Sequence, residues 1–75
     1  SNKAAFCIQE NHLQEFDKRD LPQESKDEQV AFWLSQALKE NRQFSLKLPG
    51  LNLNNGNSQK DLESFLFQYL KWRGL

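Results

Sequence analysis

The C-terminal stretch from Ser58 to Leu75, SQKDLESFLFQYLKWRGL, holds the densest run of large apolar side chains in the chain, and any fold must bury most of them. Both of its ends carry helix signals. The Ser58 hydroxyl is placed to accept from the backbone N–H three residues on, where Asp61 also suits the positive end of a helix. Gly74 stands where a left-handed residue closes a last turn, with Leu75 beyond it returning toward Leu70. The spacing predicts a helix over 59–73. At about 100° per residue, Leu62, Phe65, Leu66, Tyr69, Leu70 and Trp72 share an arc of roughly 160°, wide enough to face a core. Phe67 falls outside that arc, among Lys60, Glu63 and Lys71.

A second long helix is predicted over 26–42. Ser25-Lys-Asp-Glu28 has the capping-box pattern, and the acidic start with Lys39 and Arg42 near the end suits the helix dipole. Its apolar face gathers Val30, Trp33, Leu34, Ala37 and Leu38, ready to meet the C-terminal helix. Phe32 points about 200° away from Val30, between Glu28, Ser35, Gln36 and Lys39. Upstream, Asn11 as cap, Gln14 at the box position, and Leu13 and Phe16 on one face predict a short helix over 12–18. Asp20 to Glu24 is a connector, because Pro22 biases Leu21 away from helical dihedrals. The short apolar run Ala4 to Ile8 reads as a strand.

Residues 43–54 alternate, with Phe44, Leu46 and Leu48, then Leu51 and Leu53, against polar neighbours. That period suits an extended arm or a minor β-hairpin. Pro49-Gly50 favours a type II turn over the primed turns of tight hairpins, so the irregular arm is the preferred reading. Asn54 to Asn57 reads as a polar turn before Ser58. The expected fold is mainly α, two long packed helices with a short helix and an arm. The alternative is a small α+β or winged-helix-like domain.

Seventy-five residues make one domain, near the size at which a single core is marginal and self-association is a common supplement. Ten basic and ten acidic residues leave no net charge, which removes the compositional argument for nucleic acid. No apolar run approaches the roughly 18 residues of a membrane span and no signal peptide is visible, so no membrane role is expected. The single Cys7 favours a reducing compartment, and the cytoplasm is the expected location. The chain has no Met, and Ser1-Asn2 reads as a tag scar or processed start of a domain excised from something longer.

No catalytic, cofactor or metal set emerges. Cys7 and His12 are the only soft metal ligands, fewer than zinc needs, and the same pair lacks the orienting group and oxyanion site of a nucleophile. The loop from Asn54 to Lys60 enters a helix N-terminus but has neither phosphate-loop nor dinucleotide spacing. Gln59 to Leu66 resembles a sliding-clamp-binding box, with Leu66 in place of its second aromatic. The order of elements also suits a winged helix, with Lys39, Arg42, Lys47, Lys71 and Arg73 as its nucleic-acid surface. Against that, the second helix opens with Glu24, Asp27 and Glu28, which would meet phosphates.

The off-face aromatics carry the functional expectation. Burying a Phe is worth about 1.5 to 3 kcal/mol, so Phe32 and Phe67 left in water are a liability that binding relieves, unless the N-terminal run or the arm covers them. The expected function is a non-catalytic interaction or self-association module, with a protein partner or a second copy of the chain. Phe32 and Phe67 would be its contact residues and Trp33 and Trp72 its rim or anchor aromatics. A small nucleic-acid-binding regulator is the alternative.

Overall fold

The computed structural model describes residues 4–75, so Ser1 and Asn2 lie outside the described residues. In chain order the elements are β1 (Phe6–Gln9), α1 (Glu10–Lys18), α2 (Gln23–Lys39), β2 (Phe44–Leu48), β3 (Leu51–Gly56) and α3 (Gln59–Trp72). The strands form one sheet in the order β1-β2-β3, with β1 and β2 parallel and β2 and β3 antiparallel. This corrects the mainly α expectation: the fold is α+β. The residues read as an arm are two full strands, and the N-terminal run pairs with the first of them. A parallel pair needs a long crossover, which here is α1 and α2 together.

Strand alternation sets the layers. Ile8, Phe44, Leu46 and Leu48 are buried with Leu13, Val30, Leu34, Ala37, Leu62, Phe65 and Tyr69 from the helices, in one core. The other sheet face is polar, with Gln9, Lys47 and Asn52 side by side across the three strands. Pro49-Gly50 does close a hairpin, with Gly50 at φ +81°. The hairpin also carries a bulge. Phe44 pairs with Gly56 and Leu46 with Leu53, leaving an extra residue on β3 where Asn55 is left-handed at φ +60°. The predicted polar turn at Asn54 to Asn57 is therefore mostly strand. Gly56 is required there, because an added Cβ would lie within 3.0 Å of the Phe44 ring.

The helix ends show which capping signals hold. In α3 the Ser58 hydroxyl accepts from the Asp61 N–H at 3.1 Å, as predicted, and the Asp61 carboxylate accepts from the Asn57 N–H at 3.0 Å. Its far end is a Schellman motif, with Leu75 N–H on the Leu70 carbonyl and Gly74 N–H on Lys71. α2 starts earlier and ends earlier than predicted. Pro22 precedes its first turn and no side chain caps it, and Asn41 at φ +57° ends it with bonds from Arg42 N–H to Ala37 and Asn41 N–H to Leu38. α1 begins at Glu10 rather than His12. Gln9 N–H donates to His12 Nδ1 at 2.9 Å, so Asn11 is not the cap.

Candidate association surface

α2 and α3 run antiparallel, and the contacts at both ends fix their register. At one end Arg73 pairs with Asp27, both mostly buried. At the other, Leu38 and Lys39 share a hollow with Gln59 and Leu62. Phe32 lies five residues from Asp27 and Phe67 six from Arg73, which at 1.5 Å per residue is about 8 and about 9 Å along the two helices. The two rings therefore stand at nearly the same height. Each also points away from the core, since Phe32 is two residues from buried Val30 and Leu34, and Phe67 two from buried Phe65 and Tyr69. Neither the N-terminal strand nor the hairpin covers them: Phe32 is 60% exposed and Phe67 62%.

The hollow beside Phe32 has a volume of about 320 Å³, with Ser35 and Lys39 on its α2 wall and the apolar carbons of Leu38 and Leu62 within it. Around it the exposed row of α2 reads Glu28, Phe32, Ser35, Lys39, in steps of four, three and four. Those are the steps of a helix–helix seam. Neither Glu28 nor Lys39 is ion-paired among the described residues. On α3, Lys71 sits over the Phe67 ring, 5.3 Å from its centre. The sequence marked the two phenylalanines and placed Glu28, Ser35 and Lys39 around Phe32, but missed that Leu38 and Leu62 line the hollow beside it, because that depends on how α3 packs on α2.

The tryptophans have internal tasks. Trp33 is half-buried and meets His12 and Phe16 edge-on, at 5.9 and 6.4 Å, so it seats α1 on α2. Trp72 stacks on Tyr69 and its Nε1–H donates to the Pro49 carbonyl at 2.7 Å, which pins α3 to the hairpin turn. They do not join Phe32 and Phe67 in one cluster. The five basic residues named for nucleic acid are also dispersed. Arg42 lies over Phe6 and donates to the Ala4 carbonyl, and Arg73 is held by Asp27. Lys47 is on the polar sheet face, Lys71 over Phe67 and Lys39 at the hollow.

The remaining candidates resolve similarly. Leu62 and Phe65 are buried, so the clamp-box-like residues serve the core. No group of three metal-ligating side chains occurs among the described residues. A cleft of about 360 Å³ between the three helices is lined by Leu13, Leu48, Tyr69 and Trp72 with Lys26 and Arg73. The Tyr69 hydroxyl and Arg73 Nε are both out of solvent contact, so the cleft does not offer them to a ligand. No helix among the described residues is long and apolar enough to cross a membrane. Comparison with known proteins gives no match to a protein family, a curated protein or a solved structure.

Proposed function

We propose that this domain is a non-catalytic self-association module that uses the outer face of α2 and α3. The observation that carries the reading is the pair Phe32 and Phe67, both exposed and level with one another on the face opposite the core. Aromatic side chains of this kind concentrate interface energy, and a domain of this size gains stability by associating. A nucleic-acid role has weaker support, because two of its five basic side chains are spent inside the fold. The single half-buried free thiol suits a cytoplasmic setting.

The test is the absolute mass in solution by light scattering on the wild type, Phe32→Asp and Phe67→Asp. Both side chains are exposed, so each variant keeps the helical circular dichroism of the wild type. The wild type is expected at twice the mass of one chain and Phe32→Asp at the mass of one. A wild-type monomer at every concentration, or a Phe32→Asp dimer as tight as the wild type, overturns the reading.

A further inference from the structure

We infer that the occupant of this face is a second copy of the chain, seated with its α2 antiparallel to the first about a twofold axis that passes between Trp33 and Leu34. The inference rests on the self-association reading and adds the arrangement. It follows from the order of the exposed row. Reversing Glu28, Phe32, Ser35, Lys39 about its midpoint sets Glu28 against the partner's Lys39 and Phe32 against the partner's Ser35. Opposite charges meet at both ends of the seam, and a large side chain meets a small one at both inner positions. The row is therefore self-complementary, which is what an isologous interface demands.

The fit extends to shape. Ser35 lines the hollow of about 320 Å³ with Leu38 and Leu62, so the partner's Phe32 arrives over an apolar depression rather than a flat wall. By symmetry each copy's depression receives the other copy's Phe32. The end charges are free to pair, since neither Glu28 nor Lys39 has an ion-pair partner among the described residues. The span from Glu28 to Lys39 is about 16 Å of helix, long enough to fix direction but short enough that one reversed charge matters. On α3 the corresponding row, Lys60, Ser64, Phe67, Lys71, repeats the same steps. In this arrangement Phe67 meets the partner's Ser64, while lysine faces lysine at both ends. Orientation is thus set by α2, and α3 adds apolar contact with an opposing charge term.

The experiment is a charge-reversal cycle on the full chain, read as the dimer dissociation constant by sedimentation equilibrium at about 0.1 M salt, where exposed pairs are not fully screened. In a twofold dimer each substitution acts twice. Glu28→Lys and Lys39→Glu, taken singly, are each expected to weaken the dimer about tenfold or more. The double reversal is expected to return it to within about threefold of the wild type. If the wild type dimerises but either single reversal leaves the constant unchanged, or the double variant is as weak as the singles, the antiparallel seam is overturned while self-association stands. A wild-type monomer overturns both. Circular dichroism of each variant separates a lost interface from a lost fold, and both positions are exposed in the single chain.

Discussion

Tyr69 shows how much one residue of this core is asked to do. Its ring is fully buried, it stacks on Trp72, and its hydroxyl lies out of solvent beside the Asp27 carboxylate. Burial first, and the Asp27 carboxylate second, hold its ionisation far above the usual phenol range, with Arg73 opposing. The folded state thus keeps the proton more tightly than the unfolded chain. Its contribution to stability is complete below pH about 10 and is lost as pH rises beyond that value. Urea unfolding between pH 8 and 11 should show wild-type stability falling by an extra amount on the order of 1.4 kcal/mol per pH unit above pH 10, relative to Tyr69→Phe. At pH 7 the two proteins should differ by no more than about 1.5 kcal/mol, the usual net worth of one hydrogen bond. Equal alkaline slopes would show that Tyr69 is not the group responsible.

At the scale of elements, a few polar bonds tie the helices to one another and to the sheet. Arg73 and Asp27 join the end of α3 to the start of α2, and they set the register that brings Phe32 level with Phe67. Each group is mostly out of water, so removing one leaves the other charge poorly solvated. Asp27→Asn and Arg73→Gln should each destabilise the fold, and the double variant should lose less than the two together, with a coupling of about 0.5 to 3 kcal/mol in chemical denaturation. Additive losses would mean that the pair does not hold the helices. This kind of contact marks the limit of what sequence shows. The caps of α3 were legible because their signals are local, with Ser58, Asp61, Gly74 and Leu75 all within one turn of an end. The parallel pairing of Phe6–Gln9 with Phe44–Lys47 was not, since the first run read as a strand and the second only as an extended arm, and nothing near either names the other. The bulge at Asn55 was hidden for a different reason. Asn-Asn-Gly signals a turn wherever it occurs, and only pairing with Phe44 converts it into strand.

The candidate surface divides in the same way when the whole molecule is considered. Phe32 and Phe67 were legible as exceptions to helical patterns, but their alignment depends on the packing of two helices that the sequence separates. Trp33 and Trp72, read as further contact residues, also act as fasteners at different joints of the fold, one seating α1 on α2 and the other α3 on the hairpin. That division supplies two internal probes of cooperativity. β1 is held to the rest by Ile8, fully buried in the core and paired with Leu46 of β2, so Ile8→Ala should cost about 2 to 5 kcal/mol. In a domain whose total stability is on the order of 5 kcal/mol or a little more, that is a large share, and one core has no means of losing it locally. Trp33→Phe and Trp72→Phe proteins, each reporting through its remaining tryptophan, should therefore show urea transitions with one midpoint apiece by fluorescence and by circular dichroism. Adding Ile8→Ala should shift both probes together. If the Trp33 signal moved while the Trp72 signal stayed, β1 with α1 would be a separately unfolding unit on a core of α2, α3 and the hairpin, and the association surface would survive the loss of the N-terminal strand.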